Sequence, residues 1–411
     1  MAEYLTPDVY VEEVPGGPRP IQSVGTRTAA FVGQAPLAAE QVGIARAVNN
    51  WSEFKRDYVK DSKASTALSN AVWGFFQNGG SRCFIVNTPN DRPLLAGDDP
   101  GGLAALAAED EVAIVAAPGR TDVASYDQLL THCETLKDRV AILDGPLRVD
   151  DVTQLTIGAT TMRARGAASQ APAAGGGGSK AADKPGLKPR QSDNGYGAFY
   201  FPGITIQDAL TGQLVDVTPS GHVAGIWARS DATRGVHKAP ANESVRGALN
   251  VTQRLTFEEQ GVLNPAGVNC IRYFPTEGIR LWGARTVADP ASEWRYLNVR
   301  RLFNMIEESI AEATRWIVFE PNDRTLWKSV RRDIGAFLTR VWRDGALMGR
   351  VAEQAFFVKC DEETNPQDSI DAGFVIAVIG IAPVKPAEFV IFRISQNAAG
   401  AEVELEGAPG A

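Results

Sequence analysis

Apolar positions change their spacing along the chain. Residues 28–33, 83–86, 112–116, 140–143 and 196–201 are short unbroken apolar or aromatic runs. Runs of this length and composition mark strands buried on both faces. Between them the spacing is helical. Residues 64–77 carry Leu68, Val72, Phe75 and Phe76 on one side and stop at Asn78-Gly79-Gly80. Residues 122–137 form a second predicted helix with Asp122 as its N-cap, and 151–165 a further helix-like segment. Strands alternating with helices in this way predict an α/β fold, a mostly parallel sheet layered between helices.

The final third follows a different pattern. Leu302, Ile306, Ile310, Ala313 and Ile317 form one stripe along residues 294–319, as in an amphipathic helix. Pro321-Asn322-Asp323 breaks it, and a second helix over 325–345 buries Val330, Ile334, Phe337, Leu338 and Val341. Strand-like runs at 374–381 and 389–395 are separated by Pro383 and Pro386. The second run is expected to depart from the first rather than fold back on it.

Both ends are predicted to be extended arms. Val9, Tyr10, Val11 and Val14 form a short strand between Thr6-Pro7 and the proline cluster at 15–20. Fully extended, the first 24 residues would reach about 60–80 Å. Phe389, Val390, Ile391, Phe392 and Ile394 are too apolar to stand unpaired. Both runs are therefore candidates for strand exchange between subunits. Residues 166–193 are rich in Gly, Ala, Pro and Lys and predict a flexible surface loop.

Composition narrows the function. The 411 residues carry a formal net charge of −8, which argues against a general nucleic-acid binder. Segment 327–350 opposes this with six basic residues against two acidic ones. Lys328, Arg331, Arg332 and Arg343 share one helix face opposite the apolar stripe. That face is either a solvated surface or a docking surface for an acidic partner. Cys83, Cys133, Cys270 and Cys360 form no metal-ligand spacing and are expected to be buried free thiols. The N-terminus lacks the basic segment and apolar run of a signal peptide. No stretch has the roughly 18 consecutive apolar residues of a membrane span. Assembly in the cytoplasm without membrane insertion is the expectation.

No catalytic motif survives inspection. Gly175-Gly176-Gly177-Gly178-Ser179-Lys180 lacks the Gly-Lys-Ser/Thr ending of a phosphate loop. Ser220-Gly221-His222 lacks the G-x-S-x-G turn of an α/β hydrolase, though such a hydrolase remains the alternative, with Ser220 and His222 as its residues. Acid pairs such as Glu307-Glu308 have no accompanying glycosidase or metal pattern. No cofactor or metal is expected.

Several motifs together are distinctive. Ala239-Pro240-Ala241-Asn242-Glu243, Leu263-Asn264-Pro265, Trp282-Gly283-Ala284-Arg285-Thr286, Asn298-Val299-Arg300-Arg301-Leu302, Phe319-Glu320-Pro321-Asn322 and Ala382-Pro383-Val384-Lys385-Pro386-Ala387-Glu388-Phe389 resemble contractile tail sheath proteins of phages and phage-tail-like injection systems. Tyr10-Val11-Glu12-Glu13-Val14 and Phe31-Val32-Gly33 are similar to the same family. The resemblance implies an inner α+β domain built from both chain ends, 25–90 and 286–386. It implies an outer domain, 91–285, subtilisin-like in fold without a working triad, and arms at 1–24 and 387–411. By the same resemblance, the arms add strands to neighbouring copies. Hexameric rings then stack around an inner tube, with baseplate and terminal cap proteins as further partners, and contract from a metastable extended lattice. The basic face of Lys328, Arg331, Arg332 and Arg343 would turn toward the tube. A tail tube or baseplate component fits less well, since tube proteins are smaller and richer in strand.

Overall fold

The computed structural model describes residues 20–89, 92–95, 101–159 and 185–389. Its centre is a nine-stranded sheet. In chain order the strands are β1 (Ala29–Gly33), β2 (Ala45–Val48), β3 (Cys83–Asn87), β4 (Ile114–Ala116), β5 (Val140–Asp144) and β6 (Gly197–Phe201). Later come β7 (Ile204–Gln207), β8 (Leu214–Val217), β9 (Glu243–Ser244), β10 (Ala248–Val251), β11 (Val268–Phe274) and β12 (Gly278–Trp282). The large sheet runs β2-β3-β1-β4-β5-β6-β11-β12-β9, and β10-β7-β8 form a small sheet of their own. Neighbours from β3 to β11 pair in parallel, while β2, β12 and β9 add antiparallel edges. The α/β architecture expected from the apolar runs is present. Strands from residues 25–90 and from 91–285 share this sheet, so the sheet itself has no boundary at residue 90.

Alternation along each strand builds two cores. Ala29 and Phe31, Val140 and Ile142, and Ala198 and Tyr200 face one side. There they meet α2 (Ala67–Gln77) and α4 (Ser220–Arg234), while the short helix α1 (Trp51–Phe54) adds Phe54. Ala30, Val32, Ala141, Leu143, Phe199 and Phe201 face the other side. They meet α3 (Val123–Leu136) and, through Leu263, α5 (Phe257–Leu263). Asp122 caps α3 as expected, its side chain accepting from Ser125 N at 2.9 Å. α2 and α4 touch backbone to backbone. A Cβ on Gly221 would lie 2.2 Å from the Ala71 carbonyl oxygen, and one on Gly225 2.5 Å from that of Phe75. Only glycine permits that approach.

One expected helix differs. Within its described part, 151–165 holds only a 3-10 turn, Val152–Thr156. Asp151 takes both the backbone N–H and the hydroxyl of Thr153, and Thr156 donates back to the Thr153 carbonyl. Asp151 thus caps the turn, which ends where Ile157 becomes extended and its carbonyl accepts from Lys188 N at 3.0 Å.

The C-terminal unit is a third core. α6 (Leu297–Ala313) and α7 (Arg324–Arg343) pack through Leu302, Met305, Ile306, Leu326, Val330, Ile334, Phe337, Leu338 and Val341. A two-stranded antiparallel ribbon, β13 (Phe356–Lys359) and β14 (Val378–Ile381), completes it. The reverse side of α6 faces the sheet layer and carries polar residues. Arg301 grips Asp231 of α4 through two contacts, Nη1–Oδ1 at 3.0 Å and Nη2–Oδ2 at 2.6 Å. The two side chains are 3% and 2% exposed. Thr26 joins them, donating to Asp231 at 2.6 Å and accepting from Arg301 at its carbonyl at 2.9 Å.

Asp231→Ala should strand the Arg301 charge and destabilise the fold by about 3–5 kcal/mol. Replacing both residues with apolar side chains of similar volume should cost less. Urea unfolding of the single and double variants measures this, and an equal or larger loss in the double variant contradicts it.

Candidate assembly surfaces

Asp323 caps α7 by accepting from Thr325 N and Leu326 N at 2.9 and 2.8 Å. The apolar stripe of α7 turns into its core, which leaves Lys328, Arg331, Arg332 and Arg343 exposed. Arg332 donates to the Asp333 carboxylate at 3.0 Å. Among the described residues the other three form no salt bridge. The four thus make a basic strip along one rigid helix, suited to an acidic surface.

The β13–β14 ribbon is unusual in having no third strand among the described residues. Phe357 is 56% exposed and Val378 44%. Phe357 lies over Gly380 on the partner strand, where a Cβ would meet its ring at 2.2 Å. A ribbon with free edges and apolar residues facing outward is a template for further strands. The sequence pattern did not reveal β13. It is a four-residue run, Phe-Phe-Val-Lys, directly after a short helix.

The first and the last described segments are both tied to the body. Ile21 is buried among α6 and α7 residues, and its carbonyl accepts from Arg340. Val24 N donates to Ser309 Oγ at 3.0 Å. At the other end, Val384 N donates to the Ala346 carbonyl at 3.2 Å, and the Val384 carbonyl accepts from Asn298 Nδ2 at 3.1 Å. Four residues later Glu388 meets Arg285, with Arg285 Nε 2.9 Å from Oε1 and Nη2 bonded to Oε2. Of the strand-exchange residues only Phe389 is described, and it is 74% exposed. Val9, Tyr10, Val11, Val14, Val390, Ile391, Phe392 and Ile394 lie outside the described residues.

The residues of the hydrolase alternative are not brought together as a nucleophile and base. Ser220 is fully buried and donates its hydroxyl to Asp144 Oδ2 at 2.7 Å and its N–H to Oδ1 at 2.9 Å. Burial raises the Asp144 carboxyl to about 6 despite these bonds. His222 is buried against Gly74, neither ring nitrogen has a hydrogen-bond partner, and burial lowers it to about 4. No histidine stands between the serine and the carboxylate, as a triad requires. All four cysteines are buried free thiols. Among the described residues no group of three or more His, Cys, Asp or Glu side chains could hold a metal ion. No described helix is long and apolar enough to cross a membrane.

A family model described as the phage tail sheath protein central domain matches residues 101–287, and the phage tail sheath C-terminal domain matches 289–397. The helical sheath of the anti-feeding prophage in its contracted state is 31% identical, with a TM-score of 0.71. That alignment covers 96% of this chain and 100% of the other. This chain belongs to the phage tail sheath family. The sheath of an extracellular contractile injection system, the PVC sheath complex in its contracted state, is 27% identical. It covers 97% of this chain and 99% of its own, with a TM-score of 0.73. The tail sheath protein of Vibrio phage KVP40 is 29% identical over 187 residues, 44% of this chain and 27% of that protein's length.

The sheath motifs in this chain sit largely on the seam and the chain roots. Asn298 holds the carbonyls of His237 and Val384, and Arg300 packs its guanidinium over Tyr196 and Trp294 at 4.8 and 4.3 Å. Asn322 accepts from Trp327 Nε1 at 2.8 Å and donates to the Phe374 carbonyl at 2.9 Å. A cavity of about 10 Å³, room for about one water, lies on the seam between Asp138, Arg301, Asn304 and Glu308. Burial, with Asp138, Glu312 and Asp110 nearby, raises the Glu308 carboxyl to about 7.

A carboxyl whose folded value exceeds its unfolded one binds protons more tightly when folded. Glu308 should therefore contribute stability below about pH 4.5 that is lost as pH rises through about 7. Melting curves from pH 4 to pH 8 should show Glu308→Gln flattening this decline. An unchanged pH profile in the variant would count against the seam effect.

Proposed function

We propose that this chain is a subunit of a contractile sheath, which polymerises as stacked hexameric rings around an inner tube. Contraction from a metastable extended lattice would then drive the tube through a target envelope. The observation that carries this reading is the match, over nearly the whole of both chains, to a helical sheath. The free-edged β13–β14 ribbon supports it as an acceptor for strands from neighbouring copies. The apolar runs Val9–Val14 and Phe389–Ile394 are the natural donors. A contact of this head-to-tail kind does not close on itself and generates a helical array.

The basic strip of α7 is proposed to face the tube. A contact there must hold the sheath in register and yet release during contraction. Exposed ion pairs are individually weak and are screened by salt, so they suit that task better than an apolar seam. Residues 286–386, with the Ile21–Val24 segment packed on them, would form the inner region, and the sheet that 25–90 shares with 91–285 the outer one. Baseplate and terminal cap proteins would bound the tube at its ends, within a phage tail or a phage-tail-like particle assembled in the cytoplasm. The energy of contraction would be stored in subunit packing and interfaces, with no chemical step in this chain. Neither a cofactor nor an enzymatic role belongs to this proposal.

Negative-stain microscopy of the purified chain should show long hollow tubes. Monodisperse small particles would speak strongly against the sheath assignment. Removing residues 1–20 should leave a folded body that forms no tubes, and normal polymerisation of that truncation would exclude the N-terminal arm as a connector. Reversing charge at Arg331 and Arg332 should weaken co-assembly with the tube protein and flatten its salt dependence. Unchanged co-assembly would exclude this face as the tube contact.

A further inference from the structure

We infer that Arg285 is a positioning residue for assembly: its ion pair with Glu388 sets the point and direction from which the C-terminal apolar run leaves the body toward a second copy of this chain. This rests on the strand-exchange reading above and adds to it a specific anchor.

Arg285 follows β12, and its backbone is fixed on both sides. Its N–H donates to Asn269 Oδ1 at 2.7 Å, and its carbonyl accepts from Asn269 Nδ2 at 2.8 Å. Asn269 is itself fully buried in β11. The Arg285 guanidinium also donates to the Asn264 carbonyl at 3.1 Å. The Arg285 side chain is 9% exposed and that of Glu388 17%. A planar fork held in this way presents two donors in one direction, which a lysine cannot do.

The surrounding chain makes this contact matter. Among the described residues, the last backbone hydrogen bonds and the Asn298 contact that tie the C-terminal segment to the body are at Val384 and before it. Among the described residues no backbone–backbone hydrogen bond holds residues 385–388, and Pro386 has no N–H to give. Phe389, the first residue of the apolar run, comes directly after Glu388 and is exposed. With the ion pair the run is launched from residue 388. Without it the last fixed point retreats to Val384, which frees roughly 13 Å of additional contour at about 3.3 Å per residue. A longer free tether lowers the effective concentration of the donor strand at its acceptor.

A purely stabilising salt bridge makes a different prediction. Arg285→Lys, Glu388→Gln and a deletion of residues 390–411 should be made in the full chain. Each is scored by melting temperature and by tube mass at fixed protein concentration. The inference expects both point variants to melt within a few degrees of the parent yet form at least about tenfold less tube. It expects the deletion to form none. Parental tube mass in both point variants, alongside failure of the deletion, would overturn the anchor and leave strand exchange standing. Tube loss that tracks a large fall in melting temperature would also overturn it, as a stability effect. Normal tubes from the deletion would instead remove the strand-exchange reading on which the anchor rests.

Discussion

The contact between Asp231 and Arg301 governs how the two halves of this molecule sit together. Both charges are withdrawn from water, and neither can be left alone there without a cost of several kcal/mol. Their geometry meets that demand through two parallel donor–acceptor contacts, with Thr26 as a third partner. Arg301 also lies over the Trp227 ring at 4.8 Å. Apolar packing alone would tolerate a small slide of α6 along α4. The ion pair does not, because a slide of an ångström or two would break hydrogen bonds that nothing else could replace. Arg300, next along the chain, repeats the device against Tyr196 and Trp294.

With its halves locked, the body is suited to move as one piece. Each root crosses the seam. The N-terminal segment rests on α6 and α7 through Ile21 and Val24, passes the Asp231–Arg301 pair at Thr26, and enters the large sheet at β1. The C-terminal segment leaves β14, passes Asn298, and ends on Arg285 beside the sheet. A load on either root therefore arrives at the seam, where the buried Asp231–Arg301 pair lies. In the proposed sheath this arrangement would let the bodies rotate during contraction while the connecting strands stay paired.

Much of the fold was legible because its signals are local. The buried parallel strands announce themselves as unbroken apolar runs, and the stripes of α6 and α7 fix their buried faces by spacing alone. Within 151–159 the expected helix stops after one 3-10 turn because Ile157 turns extended and residues 157–159 pair with Lys188, a partner that local spacing does not disclose. β13 was not legible, since four residues carry too little periodicity and its partner strand, Val378–Ile381, is not its neighbour in sequence. The pairings that hold the molecule together were out of reach for a more basic reason. Arg285 and Glu388 are 103 residues apart, and Arg301 and Asp231 are 70 apart. Arg285, Arg301 and Glu388 stand inside motifs that mark the family, so the sequence flagged them without disclosing what they touch. The strand-exchange runs, apart from Phe389, stay at the level of sequence pattern.

α7 joins the remaining two threads. Its outer face carries the exposed basic strip, and near its C-terminal end Arg340 binds the carbonyl of Ile21. From Lys328 to Arg340 the helix rises by about 18 Å at 1.5 Å per residue. In the proposed sheath, a displacement at the tube contact would thus reach the N-terminal root through one stiff rod. It would need no rearrangement of the core, because the stripe from Leu326 to Val341 is fully engaged with its neighbours. The acidic character of the whole chain reinforces this division. A chain with a net charge of −8 repels its own copies over a distance, so a helical array would have to rely on specific strand pairing between them.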